Sequence, residues 1–130
     1  MDSNQLFEMA LNLGKEWSVI GCCFEGEPKK LKLNIEPKRG LQWKCPECGT
    51  KGSAHDLVEK RWRHLDFFQY ECELAAKVPR CRCETHGVRL VEVPWARPGS
   101  GFTLMFEALV MLLCQQMPVA DVAELLNEQD

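Results

Sequence analysis

The sequence lacks an apolar run long enough to cross a membrane. The longest run, residues 102–114, contains Thr103 and Glu107 and is shorter than the roughly 20 residues that a spanning helix needs. The beginning of the chain carries Asp2 and Glu8 and lacks the basic stretch that opens a secretory signal. We therefore expect a cytoplasmic protein with no membrane partner.

Basic residues are scarce at both ends of the chain. Residues 98–130 contain five acidic residues and no lysine or arginine, and residues 1–28 contain five acidic residues and one lysine. Residues 29–97 hold the other 15 basic residues against nine acidic ones, so this middle part has a net charge of +6 in a chain of −3 overall. A basic middle is typical of a module that binds a polyanion such as nucleic acid, and equally of a solvated ribbon surface.

The sequence also lacks internal repeats and low-complexity stretches, and its 130 residues predict one domain, or one domain and a fragment. A short N-terminal helix is predicted, capped by Ser3 or Asn4 and followed by Gly14. Its apolar stripe is formed by Leu6, Met9, Ala10 and Leu13.

Alternating apolar residues predict a β-rich region after this helix. The segments "WSVIGCCF", "LKLNIE" and "LQWKC" are expected to form a three-strand meander, with the inward side chains Leu31, Leu33 and Ile35. A long strand should begin at Tyr70 and bury Cys72, Leu74, Ala76 and Val78, and a last short strand should cover "VRLVEV".

The end of the chain predicts two helices after a linker, "PWARPGSG". The first helix should cover residues 103–116 and is apolar nearly all round, with Glu107 as its one charge. The second should begin with Pro118 at its first position and carry the stripe Val119, Val122, Ala123 and Leu126. Because an apolar helix is normally covered on several sides, we expect residues 103–126 either to form a homodimer or to fold back on the ribbon.

What the sequence has in abundance is cysteine, eight in all. Disulfides are rare in the cytoplasm, so clustered cysteines there indicate a metal site first. The segment "CPECG" places two residues between Cys45 and Cys48, a spacing that lets two thiolates from one tight turn bind the same ion. Gly49 can take a positive φ and turn backbone N–H groups toward the sulfurs.

The segment "RCRCETHG" repeats this shape. Cys83 and His86 have two residues between them and Gly87 after them, whereas Cys81 would leave four residues before the histidine. We therefore predict one structural Zn²⁺ with the ligands Cys45, Cys48, Cys83 and His86. The other cysteines are expected to be core side chains, namely Cys22 or Cys23, Cys72 and Cys114.

The segment "KRWRHLD" has two interpretations. One is a loop that contacts phosphate through Arg61, Arg63 and His64, the other is a turn held by its own contacts, and the two are compatible. In the second case Trp62 and Leu65 cover the zinc core and Asp66 pairs with an arginine.

Taken in order, "CPECG", "RWRHLD", "VPRCRCETHGV" and "VPWARPGSGFTLMFEALV" resemble the N-terminal part of the ISL-three family of bacterial insertion-sequence transposases. The resemblance extends from about Leu6 to the end of the chain. It implies a zinc ribbon with the four ligands named above, followed by the first two helices of a helix-turn-helix. In the family the position of Cys81 is usually aliphatic.

The resemblance also implies parts that this chain does not contain. The recognition helix would begin after "NEQD", and an RNase H-like domain with three carboxylates would follow it. We therefore expect a fragment with no catalytic residue, no small-molecule substrate and no ability to cleave DNA.

The predicted fold class is α+β: a small β-rich zinc ribbon with a short N-terminal helix in residues 1–97, and an incomplete helix-turn-helix in residues 98–130. The predicted function is recognition of double-stranded DNA at transposon ends, in the bacterial cytoplasm and on the nucleoid. Candidate DNA contacts are Lys38, Arg39, Lys44, Arg61, Arg63, His64, Arg80, Arg82 and Arg97. The alternative is a protein–protein interaction or dimerisation module that does not bind DNA.

Overall fold

A computed structural model describes residues 2–128, which form three helices and seven strands. In chain order these elements are α1 (Ser3–Leu11), β1 (Trp17–Gly26), β2 (Lys29–Pro37), β3 (Trp43–Lys44), β4 (Lys51–Gly52), β5 (Ala54–Phe67), β6 (Tyr70–Cys83), β7 (Gly87–Leu90), α2 (Leu104–Cys114) and α3 (Val119–Leu126). The predicted α+β class, with a β-rich body between one short helix and two C-terminal helices, is confirmed.

The main sheet has the strand order β1-β2-β6-β5, and β7 pairs with the end of β6. Strand β2 runs antiparallel to β1 and parallel to β6, where Leu33 pairs with Leu74. The predicted three-strand meander is therefore wrong, because β3 does not join β2. It pairs instead with β4 in a separate two-stranded ribbon. An alternating pattern specifies which face of β2 is buried, but not which strand lies beside it.

Strand β5 lies where the sequence predicted a loop or turn. The segment "KRWRHLD" is the middle of a 14-residue strand that pairs antiparallel with β6. Only Trp62 of this strand is buried. Strand β5 is an edge strand and most of its charged side chains remain in solvent, which is a common way to protect a sheet edge.

The core lies on one face of the sheet. The side chains predicted to point inward from β2 and β6 are buried, so these expectations are confirmed: Leu31, Leu33, Ile35, Cys72, Leu74, Ala76 and Val78. Four tryptophans extend the core, with ring centres 4.9 Å apart for Trp17 and Trp95 and 5.3 Å apart for Trp62 and Trp95. Trp95 comes from the segment predicted as a linker, which is therefore partly a core element.

Helix α1 differs in detail from its prediction. Its cap is Asp2, whose carboxylate accepts from the Gln5 N–H (2.8 Å), and its last residue is followed by Asn12 in the left-handed conformation. Leu6 and Met9 of the predicted stripe are exposed. The side that packs against the core carries Phe7, Leu11 and, just beyond the helix, Leu13. The apolar residues of this segment form two overlapping stripes, and the sequence pattern does not distinguish them.

Helices α2 and α3 form where they were predicted. Thr103 caps α2 by accepting from the Phe106 N–H (3.2 Å), and Pro118 occupies the cap of α3 rather than its first position. We call residues 103–126 the helical segment. Its buried apolar side chains are Phe106 and Val122. Large apolar side chains that stay exposed are Leu104, Met105, Met111, Leu112, Val119 and Leu125. Among the described residues, no helix is long and apolar enough to span a membrane.

Candidate metal centre and nucleic-acid interface

Two turns of the same shape carry the four predicted ligands. In each turn the second ligand is followed by a glycine with positive φ, Gly49 (76°) or Gly87 (74°). The first turn is closed by the Gly49 N–H, which donates to the Cys45 carbonyl (2.8 Å). The second is closed by antiparallel pairing of Cys83 with Gly87. Glycine takes this left-handed conformation without strain, which explains its place in both turns.

The two turns meet, and the four ligand atoms lie within 4.8 Å of one another. The Sγ atoms of Cys48 and Cys83 are 3.6 Å apart. The Nδ1 atom of His86 is 3.6 Å from the Sγ of Cys83 and 3.8 Å from the Sγ of Cys45. Around a tetrahedral zinc, with bonds of about 2.3 Å to sulfur and 2.0–2.1 Å to nitrogen, ligand atoms lie roughly 3.5–3.8 Å apart. The cluster therefore fits a zinc ion in distance and in chemistry.

The first turn also favours the thiolate that a metal requires. The Thr50 hydroxyl lies 3.2 Å from the Sγ of Cys48. Hydrogen bonds from Thr50 are the main cause that lowers the pKa of Cys48 to about 6, and contacts with Cys83 and His86 add to the effect. Because thiolate is the ligating form, Cys48 is close to its ligand state at neutral pH.

The carboxylate of Glu47 contacts His86 on the ring nitrogen that does not face the sulfurs. The Nε2 atom of His86 is 3.5 Å from Glu47, whose other carboxylate oxygen is 3.5 Å from the Nε of Arg89. Partners of this kind orient a metal-binding imidazole and leave the opposite nitrogen for the metal. The arrangement leaves Nδ1 facing the three sulfurs.

The remaining cysteines lie outside this cluster. Cys81 is buried beside it, and burial raises the pKa of its thiol. Cys72 is in the core, as predicted, and burial raises its pKa to about 12. Cys22 packs against the core, but Cys23 and Cys114 are exposed, so the core placement expected for Cys114 is wrong. Cys114 is the last residue of α2, on a part of the helix that nothing in the described chain covers.

Arg63 does not face solvent as the DNA-contact hypothesis requires. Its side chain is only 10% exposed. Its guanidinium lies over the ring of Phe106, with 4.8 Å between Cζ and the ring centre. The polar groups around it are Asp66 (2.7 Å), Glu128 (2.8 Å), the Leu126 carbonyl (3.3 Å) and Glu71 (3.7 Å). We call these side chains the Arg63 cluster; it joins β5 to the end of α3.

Three other candidate DNA contacts also have partners within the chain. His64 Nδ1 is 2.7 Å from the hydroxyl of Thr103, and burial lowers the pKa of this histidine, so it is neutral at pH 7. Arg80 pairs with Asp56 through two hydrogen bonds, and Arg97 pairs with Glu107 through three. Within "KRWRHLD" itself, the Arg63–Asp66 pair is the arginine pairing expected in the second interpretation, although the segment is a strand and not a turn.

The other candidates are exposed. Arg61 makes long contacts with Glu59 (3.5 Å) and Glu73 (3.4 Å) and is 55% exposed. Four candidates form no ion pair with any residue from 2 to 128: Lys38, Arg39, Lys44 and Arg82. The structure therefore divides the predicted contacts into a paired group and a solvent-facing group.

Comparison with protein-family models accounts for both parts of the chain. Residues 41–86 match the zinc finger of the transposases IS204, IS1001, IS1096 and IS1165, and residues 91–130 match the helix-turn-helix domain of transposase family ISL3. The chain belongs to the ISL3 transposase family. The ribbon match ends on His86 and contains all four clustered residues.

Relatives of this ISL3-family chain carry matching names. Two proteins of Mycobacterium tuberculosis, from strains CDC 1551 / Oshkosh and ATCC 25618 / H37Rv, are each named transposase for insertion sequence element IS1557. Each is 32% identical to the chain over 133 residues, which cover 98% of this chain and 30% of the relative. The chain thus spans about a third of the length of these relatives. No solved structure matches it.

Sequence reasoning missed two residues of the ISL3-family metal centre. Thr50 and Glu47 support the ligands Cys48 and His86, as described above. Both lie in or next to "CPECGT", so their position near the first turn was a usable signal. The contact of Thr50 with Cys48 is local, whereas the role of Glu47 depends on His86, which becomes a neighbour only in the folded sheet.

Proposed function

We propose that this chain is the DNA-binding region of an insertion-sequence transposase and recognises double-stranded DNA at the transposon ends. The observation that supports this most is the order of the two family matches, a zinc ribbon within the basic middle segment and then a helix-turn-helix. In this proposal the region binds DNA and carries out no chemistry itself. It acts in the cytoplasm, on the nucleoid.

In the proposal one zinc ion has a structural role, with Cys45, Cys48, Cys83 and His86 as its ligands. Four protein ligands leave no open position for a catalytic water. When bound, the ion would hold the two turns together, because neither β3 nor β4 is longer than two residues. The mutual distances of the ligand atoms support this role.

The proposed DNA surface lies on the solvent-facing cations of the basic middle rather than on the helical segment. The cations that carry it are Lys38, Arg39, Lys44 and Arg82, with Arg61 at the edge of the sheet. Residues 98–130 contain no lysine or arginine to meet a phosphate. The division of the chain into one domain of residues 1–97 and a second of residues 98–130 is part of this proposal.

A binding experiment with the zinc-loaded chain tests the function. Fluorescence anisotropy should show tighter binding to a duplex with the end sequence of the encoding element than to a shuffled duplex of the same composition. Affinity should fall with salt at a slope of about 0.9 per phosphate contact. Equal and salt-independent signals for both duplexes would rule out the proposed recognition.

A second candidate function is self-association through the helical segment. Met105, Met111 and Leu112 are 53%, 69% and 58% exposed on one short helix, and exposed apolar patches of this kind often form interfaces. Sedimentation velocity at increasing concentration should then show a dimer that Leu112→Gln disrupts, whereas Gln116→Ala leaves it intact. A monomer at all concentrations would rule this candidate out.

A further inference from the structure

An open groove of about 840 Å³ runs beside the metal centre. Its walls are the turn between α1 and β1, the β3–β4 ribbon and the segment from residue 91 to residue 94. Trp17 and Trp43 close its floor, with ring centres 5.3 Å apart and almost no exposed surface. The base of the groove is therefore formed by well-packed core side chains.

Two lysines face each other on the ribbon wall. Lys44 and Lys51 are directly paired in the β3–β4 register, and both line the groove. Neither forms an ion pair within the described part of the chain. Like charges directly opposite each other destabilise an antiparallel pair. An anion from outside the chain would relieve this repulsion.

Further positive charge gathers at the same end of the molecule. Lys15 lines the opposite wall of the groove. The Lys38 N–H donates to the Glu16 carbonyl (2.9 Å), which places Lys38 and Arg39 beside that wall. The acidic residues on the groove are Glu16 and Glu92. Three basic residues therefore line the groove against these two acidic ones, and Lys38 and Arg39 lie beside it.

We propose that this groove binds the sugar–phosphate backbone of a DNA strand, with Lys15, Lys44 and Lys51 as phosphate contacts. The inference rests on the proposed DNA binding and specifies which surface performs it. Lysine is a compact point charge without the planar fork that reads base edges, so these contacts fix position and do not read sequence. The metal centre contributes indirectly: Lys44 precedes Cys45, and the Cys45 N–H donates to the carbonyl of Thr50, next to Lys51 (2.9 Å).

The double variant Lys44→Ala/Lys51→Ala tests the groove in the zinc-loaded chain. The matched control is Lys60→Ala/Lys77→Ala, which removes the same charge from exposed positions on β5 and β6. We expect the groove variant to lower the log–log salt slope of duplex binding by about 1.8, roughly 0.9 per lost contact. The control should leave the slope within error of the original chain. The Tm without DNA should stay level or rise in the groove variant, because a repulsive pair has been removed.

Each result has a separate meaning. An unchanged slope in the groove variant, or an equal loss in the control, would overturn the inference while leaving the proposed function in place. A lowered Tm together with zinc loss would show that the lysines serve the fold instead of a ligand. Inorganic phosphate distinguishes a site for the DNA backbone from a site for a free anion. If millimolar phosphate saturates the groove and abolishes duplex binding, the groove is a site for a free anion. Absence of any duplex binding by the original chain would contradict the proposed function itself.

Discussion

The ribbon end (residues 43–52 and 83–90) and the helical segment are both short pieces of chain attached to the same sheet, but by different means. The ribbon end has strands of two to four residues and depends on four ligand side chains that converge on one point. The helical segment buries two apolar side chains, Phe106 and Val122, and is fixed by the Arg63 cluster and the His64–Thr103 contact. Each attachment is polar and local, so loss of one should leave the other intact.

Loss of a metal ligand should have the largest effect and should be confined to the ribbon end. Metal binding to structural zinc sites supplies roughly 10–16 kcal/mol that becomes folding free energy. Cys83→Ser should therefore abolish stoichiometric zinc and the amide protection of residues 43–52. Cys81→Ala should keep the metal, because Cys81 lies outside the cluster. A dye-based zinc assay and hydrogen exchange measure both, and zinc loss in the Cys81 variant alone would mean that the ligands are misassigned.

Removal of the Arg63 charge should have the next largest effect, on the other attachment. Arg63→Gln leaves Asp66, Glu71 and Glu128 close together without their cation. Breaking a buried pair costs about 3–5 kcal/mol, and partial exposure of these carboxylates reduces that to roughly 2–4 kcal/mol here. Hydrogen exchange should rise in residues 104–126, and zinc content should not change.

Arg61→Gln is the matched control for that variant. Arg61 makes only long, exposed contacts, so its loss should cost less than about 1 kcal/mol. Equal destabilisation by the two variants would show that the Arg63 cluster does not attach the helices.

Acidification should loosen the helical segment by a smaller amount. Burial lowers the pKa of His64 below its ordinary value of 6.5, so the unfolded chain takes up this proton more readily than the folded one. The contribution of His64 is fully present above about pH 6.5 and declines as the pH falls through its lower folded pKa. Amide protection in α2 should follow this decline.

His64→Gln should flatten that pH dependence, because glutamine keeps a polar partner for Thr103 and does not titrate. Segment-resolved hydrogen exchange is the appropriate measurement, since the metal ligands also titrate and would affect a global melting curve. The same slope in both proteins would assign the pH effect to other groups.

The smallest expected effect concerns a single cation. Arg82→Ala should lower the salt slope of duplex binding by about 0.9, as expected for one phosphate contact. Gln116→Ala, on the helical segment, should leave the slope unchanged. A larger change of the salt slope in Gln116→Ala than in Arg82→Ala would place the DNA surface on the helices.

Local patterns in the sequence predicted the parts of the fold that local chemistry determines. Two turns with a ligand, two residues, a ligand and a glycine predicted the cluster, and alternation predicted the buried face of β2 and β6. The parallel pairing of β2 with β6 could not be predicted, because it joins residues about 41 positions apart and leaves no local pattern.

Two further features depended on tertiary contacts. Strand β5 appeared to be a loop because its charges, Arg61 and Arg63 among them, reflect an edge position and a buried ion cluster. Arg63 was a candidate DNA contact, since nothing near it in sequence shows that Phe106 and Glu128 pack around it.

The lengths of the two strands in the antiparallel β5–β6 hairpin set the position of the two metal-binding turns relative to each other. Its two arms are 14 residues each, and Ala54, just after the first turn, pairs with Cys81, just before the second. One residue inserted into a single arm would displace one turn by about 3.4 Å and reverse the faces of the side chains beyond it. Relatives that lengthen or shorten one arm should therefore change the other by the same number of residues, or absorb the difference in a bulge.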